Sequence, residues 1–163
     1  MDEAQFRVFY ETTRLPLRAF VLRTTGNADL ADDITQDSFV RLLGSRKSLD
    51  DDDSRRRYLF TIASNLMRDH WRRAKLEPER EKDSADMLAS TAHDPIGHHD
   101  MSSALASLSE SQRSMVWLAY VEGLSHREIA QTMSLKEGSI RVLLSRARAR
   151  LLDALTHLGM TEQ

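Results

Sequence analysis

The 163-residue sequence contains no cysteine, which excludes disulfide bonds, thiolate metal sites such as zinc fingers, and cysteine nucleophiles together. It also lacks any apolar run approaching the roughly 18 residues of a membrane span. The opening residues, MDEAQFRVFY, carry acids where a signal peptide has a basic start and an apolar core. No membrane insertion is therefore expected, and the chain is expected to be cytoplasmic. No Walker loop, dinucleotide fingerprint or nucleophile elbow occurs. These gaps predict a protein that is not an enzyme, with no catalytic residue and no cofactor.

What is present is charge, and it is segregated. The formal net charge is only -2, yet residues 1–75 carry 14 basic and 12 acidic side chains, residues 76–100 carry 2 and 7, and residues 101–163 carry 7 and 6. The acidic middle holds two of the three prolines, Pro78 and Pro95, and shows no sustained apolar period. It reads as a flexible acidic linker, 76–100, between two small domains at 1–75 and 101–163. Nothing alternates with the period of a strand for long enough to suggest a sheet, so the expected fold is all-α.

In the second domain, Ser109 to Gln112 and Ser125 to Glu128 fit the capping box, in which the serine accepts an N–H of the first turn and the residue three further on reaches back. The first helix runs through QRSMVWLAYVEG toward Gly123, and the second, HREIAQTM, turns Ile129, Ala130 and Met133 to a core. A third helix begins between Ser134 and Glu137, with Ile140, Leu144, Ala147 and Leu151 as its buried stripe. Away from that stripe lie Arg141, Ser145 and Arg148 in one row, with Arg146 and Arg150 in a second. A basic helix alone reads first as a solvated face. Preceded by a short helix and a three- or four-residue turn, it follows the helix-turn-helix plan, whose second helix enters the major groove.

In the first domain, ADLADDITQDSFVRLL forms a helix with Ala31, Ile34, Phe39 and Leu42 buried, leaving Asp33, Gln36, Asp37 and Val40 outside. An exposed valine among acids and an amide is either an isolated surface residue or part of a docking face. The helix in RRRYLFTIASNLMRDHWRRAK is expected to bury Leu59, Ile62, Ala63, Leu66 and His70. Its opposite face, Thr61, Ser64, Asn65, Arg68 and Arg72, combines short hydrogen-bonding groups with cations and suits a nucleic-acid strand.

These segments resemble a family. LSESQRSMVWLAYVEGLSHREIAQTMSLKEGSIRVLLSRARARLLDAL is similar to region four, the promoter-reading domain of sigma factors of the extracytoplasmic-function group, and the two N-terminal helices resemble region two. The region-two match runs through Ala31, Asp32, Asp33, Gln36, Asp37, Phe39 and Arg41, then Tyr58, Leu59, Ile62, Ala63, Asn65, Asp69, Arg72 and Arg73. Ser134 stands where the family usually has glycine, Lys136 where it has a capping serine, and Leu143 where a basic residue is common.

The resemblance implies an alternative sigma factor that directs core RNA polymerase to promoters. By it, Asp33, Gln36, Asp37 and Val40 meet the clamp helices of the beta-prime subunit, and the second domain meets the beta flap. Asn65, Arg68 and Arg72 meet the melted downstream (-10) element, while Lys136, Ser139, Arg141, Ser145, Arg146 and Arg148 meet the duplex of the upstream (-35) element. Members are commonly held by an anti-sigma factor, so one is expected here.

The run Asp50–Asp53 departs from the family pattern. It reads as a helix flank whose charge complements the following helix dipole, the alternative being a guard against nonspecific DNA contact. Two other functions stand beside the sigma factor: a helix-turn-helix regulator acting without polymerase, and a hydrolase using His93, Asp94, His98, His99 and Asp100. A polar linker supplies neither fixed geometry nor a supporting shell of hydrogen bonds for a metal, so none is expected there.

Overall fold

The computed structural model describes residues 1–76 and 98–159. All secondary structure among them is helical, and the chain divides into two units between residues 81 and 82.

In the first unit, α1 (Glu3–Thr25) starts at a reciprocal cap. Asp2 accepts the Gln5 N–H at 2.8 Å, and the Gln5 side chain accepts the Asp2 N–H at 3.1 Å. The helix stops at Gly26, whose left-handed φ of 69° suits glycine because no Cβ meets the preceding carbonyl. The next residue, Asn27, already caps α2 (Ala28–Leu43) by accepting the Leu30 N–H at 3.1 Å. A link this short folds α2 back along α1. The two then share an aromatic cluster in which the rings of Tyr10 and Phe39 lie 4.8 Å apart, flanked by Phe6 and Phe9.

The third helix, α3 (Asp52–Leu76), packs on both. Phe60 meets Phe20 of α1 at 5.1 Å, and Leu17, Phe20, Val21, Leu59, Ala63 and Met67 are all fully buried. Each large aliphatic or aromatic side chain buried this way contributes roughly 1.5–3 kcal/mol. Two neighbours rather than one widen the buried sector of α3 and rotate it from the expected stripe. Phe60, Ser64 and Met67 are inside, whereas Leu66 is half-buried and His70 exposed. The expectation that Ser64 joins the polar face and that His70 lies in the core is therefore corrected.

The second unit contains α4 (His98–Ala106), α5 (Glu110–Tyr120), α6 (His126–Met133) and α7 (Glu137–His157). Both capping boxes form: Gln112 N–H to Ser109 at 3.1 Å with Ser109 N–H to Gln112 at 3.1 Å, and Glu128 N–H to Ser125 at 3.2 Å with Ser125 N–H to Glu128 at 3.0 Å. The core gathers Ala104, Leu108, Met115, Leu118, Ile129, Ile140, Leu144 and Ala147. Met133 and Leu151, expected inside, are half-buried, because each stands at the end of its helix's packed sector. The α5 helix ends at Tyr120, three residues before Gly123.

The α1 and α4 helices are not assigned from the sequence. The expected linker loses its ends, since Leu76 closes α3 and His98 opens α4. Its remainder, with His93 and Asp94, lies outside the described residues, as do the side chains of His98, His99 and Asp100.

Candidate functional site

Three surfaces carry the residues singled out from the sequence. On α2, burial of Ala31, Ile34, Thr35, Ser38, Phe39 and Leu42 turns the opposite face outward. That face carries Asp33, Gln36, Asp37 and Val40, all exposed, with Val40 at 66%. Asp37 pairs with Arg41 one turn on at 3.4 Å, and Asp32 pairs with Arg18 of α1 at 2.6 Å. Leu43, three residues after Val40, is 57% exposed and extends the apolar spot. Leu43 is missed from the sequence because the last residue of a helix belongs to no clear stripe.

On α3, Asn65 and Arg72 are exposed and Arg68 half-buried on the side away from the core. Arg68 donates to the Asn65 side-chain oxygen at 2.8 Å, which holds the amide in one orientation, and Arg72 lies 4.0 Å from Asp69. The preceding loop is fixed against the same helix. Ser45 and Tyr58 share a hydroxyl hydrogen bond at 3.3 Å, and the Lys47 ammonium sits 4.6 Å from the centre of the Tyr58 ring. A cleft of about 290 Å³ opens here, with Ser45, Lys47, Ser48 and Arg55 in its wall.

The acidic run is largely spent on the start of α3. Asp51 accepts the Ser54 N–H at 2.7 Å as an N-cap does, and this bond first, with the Ser54 hydroxyl and Arg57 and Arg55 beside it, holds its carboxyl below the usual range. Asp52 pairs with Arg55 at 2.7 Å, and Asp52 and Asp53 occupy the first turn, where acids complement the dipole.

On α7, the turn from α6 takes only Ser134, Leu135 and Lys136. Ser134 ends α6 in the left-handed region, at φ 55° and ψ 46°, so it does not cap the helix that follows. Lys136 holds that capping position and makes no side-chain hydrogen bond to the first turn. Lys136, Ser139, Arg141, Ser145, Arg146 and Arg148 are all exposed. Among the described residues none of these arginines has an ion-pair partner. Val142, half exposed among them, is not identified from the sequence as a site residue.

In the same unit, α5 carries a buried polar row. Glu110 Oε2, Arg113 Nε and Nη1 and Trp117 Nε1 are buried without a hydrogen-bond partner among the described residues. Burial pushes the Glu110 carboxyl up to about 7, against the opposing pull of Arg113. The same burial lowers the Arg113 guanidinium, opposed by Glu110.

Among the described residues there is no group of histidines and acids that could hold a metal, and no helix long and apolar enough to cross a membrane. A short capped helix, a three-residue turn and a basic helix in one unit, with an acid-and-amide face and a cationic helix in the other, is the layout of a two-region sigma-70-type protein. The description "Sigma-70 region 2" matches residues 9–77, and "Sigma-70, region 4" matches residues 98–151.

The ECF RNA polymerase sigma factor EcfG of Rhodopseudomonas palustris (strain TIE-1) is 34% identical over 151 residues, covering 90% of this chain and 82% of that one. SigF of Caulobacter vibrioides is 30% identical over 156 residues, covering 94% and 87%. The solved structure of the sigma factor RpoE in complex with the anti-sigma factor NepR from Bartonella quintana shares the fold, at a TM-score of 0.70 and 23% identity over 93% of this chain and 97% of that one. The chain belongs to the extracytoplasmic-function (ECF) RNA polymerase sigma factors. Its role is that of an alternative sigma factor in transcription initiation, not that of a regulator acting apart from polymerase.

Proposed function

We propose that the chain divides this work among its three surfaces. The exposed face of α2, with Asp33, Gln36, Asp37 and Val40, docks on the beta-prime clamp helices of core polymerase. Asn65, Arg68 and Arg72, with the loop before α3, engage the melted downstream element. Unstacking a base costs a few kcal/mol, which hydrogen bonds in a pocket can offset. Lys136, Ser139, Arg141, Ser145, Arg146 and Arg148 contact the duplex of the upstream element, while the second unit meets the beta flap. The chain works in the cytoplasm as a non-catalytic subunit of the holoenzyme. Residues 1–75 act as region two, 101–163 as region four, and 76–100 as the tether.

The observation that carries this division is the two-sidedness of α2, whose inner face is core and whose outer face sets two acids, an amide and a two-thirds-exposed valine in one exposed strip. A duplex-binding regulator has no use for such a strip. The test is transcription with purified core polymerase: specific transcripts are expected only when the chain is added. Promoter binding of equal strength with and without core enzyme overturns the proposal.

An anti-sigma partner is the second element. The solved relative is a complex with such a protein. Here the partner is proposed to contact both units, covering the face centred on Val40 and an apolar surface of the second unit.

A further inference from the structure

The arginines of α7 account for attraction to DNA, but a valine stands among them. Val142 is 50% exposed, on the side of α7 opposite Ile140, Leu144 and Ala147, which are buried. At 3.6 residues per turn it falls on the outward line through Gly138 and Ser145, with Arg141 and Arg148 to one side and Arg146 to the other. A helix lying in the major groove presents its flanks to the phosphates of the two strands and its outward line to the base edges. Val142 therefore occupies an outward position that faces the bases, where a side chain without donor or acceptor is least expected.

Gly138, one turn earlier, supports the same placement. It has no left-handed φ, and a Cβ added there would meet nothing within 4 Å. Neither backbone nor internal packing calls for glycine, which weakens a helix relative to alanine. Its effect is to leave space on the outward line beside Val142 for a close approach.

We infer that Val142 is a specificity residue that packs against the C5-methyl group of a thymine in the upstream promoter element. The chemistry of the groove selects that group. Guanine, adenine and cytosine carry no methyl on the major-groove edge, where their hydrogen-bonding groups dominate, whereas thymine adds one at C5. Valine against a polar edge strips water from atoms it cannot bond. The flanking arginines supply the charge complementarity that holds the helix in the groove. The inference rests on the DNA-reading role proposed for α7.

The experiment uses holoenzyme reconstituted from the full chain and core polymerase. A duplex pool randomised across the upstream element is selected with it, and each thymine of the selected sequence is then replaced singly by deoxyuridine, which removes only the methyl. For the natural chain, one position is expected to lose about fourfold in affinity, the worth of one buried methyl group. Val142→Ala should bind the thymine duplex about as weakly as the natural chain binds the deoxyuridine one, and should lose nothing further at that position. Val142→Thr, which keeps one methyl, should fall between. Because Val142 lies outside the core, unchanged circular dichroism is expected for both variants.

Insensitivity of the natural chain to every deoxyuridine, a selected element without thymine, or equal sensitivity in Val142→Ala would each overturn the inference. The underlying reading fails separately. If Arg141, Arg146 and Arg148 changed together to alanine leave promoter affinity unaltered, α7 does not meet DNA, and the inference falls with it. If that variant loses promoter affinity but no thymine methyl matters, only the role of the valine is lost.

Discussion

Ser134 shows how much one backbone angle costs. A left-handed conformation strains any residue with a Cβ by roughly 1–2 kcal/mol, and the chain accepts this at the end of α6 where glycine would remove it. Ser134→Gly regains that strain but frees the unfolded chain, so a net gain of about 0.5–1 kcal/mol is expected in urea denaturation. Glu110 carries the opposite kind of strain. Its carboxyl binds a proton near pH 7 in the folded chain but only near 4.5 when unfolded. Between those values the folded state holds more protons, so stability must fall as pH rises from about 4.5 to about 7 and then level off. For a partly exposed carboxyl the loss is on the order of 1 kcal/mol. Melting temperatures measured across pH 4.5–8 should show this slope in the natural chain and not in Glu110→Gln. An unchanged slope in the variant assigns it to another group.

At the scale of the element, one face of a helix can be separated from the other. Asp33, Gln36 and Val40 lie off the core side of α2, so changing all three to alanine should abolish binding to core polymerase without lowering thermal stability. Asn65→Ala should do the reverse, keeping polymerase binding and losing promoter opening, seen as missing permanganate reactivity of unpaired thymines. Failure of both variants at one step would join the two roles. On α7, each arginine lost from a phosphate contact should flatten the dependence of log affinity on log salt by about 0.9, whatever the DNA sequence. The faces of α2 and the starts of α5 and α6 were legible in the sequence because they depend on residues three or four apart: a capping box is complete within its own first turn. The inner face of α3 was not, since Phe60, Ser64 and Met67 are drawn in by a second packing neighbour that no local period reveals. α1 runs through Pro16, a residue type that usually ends a helix, and α4 emerges from a polar acidic stretch, so neither announces itself. Val142 and Leu43 are exposed apolar residues off the buried stripes of their helices, so no local period singles them out.

For the molecule as a whole, the tether proposed between the units decides how an inhibitor could hold it. Contacts of modest strength on each unit reinforce one another when the units are joined, because the second contact forms at the effective concentration set by the tether. The fragments to compare with the intact chain are 1–76 and 98–163, since a cut at 101 would open α4, whose Ala104 is buried in the second core. The anti-sigma protein is expected to bind each fragment at least tenfold more weakly than the whole, by calorimetry. One fragment binding as tightly as the whole chain rules out the two-unit clamp. The self-contained caps of α5 and α6 bear on speed as well. Within the second unit α4, α5 and α6 all pack on α7, the last of its helices, so the shared core closes only once α7 is in place. Helical units of this size fold in about microseconds to milliseconds, so the wait is for α7 to leave the ribosome. A cell that meets a stress by making more of this chain would then wait on translation, not on folding, before its promoters respond.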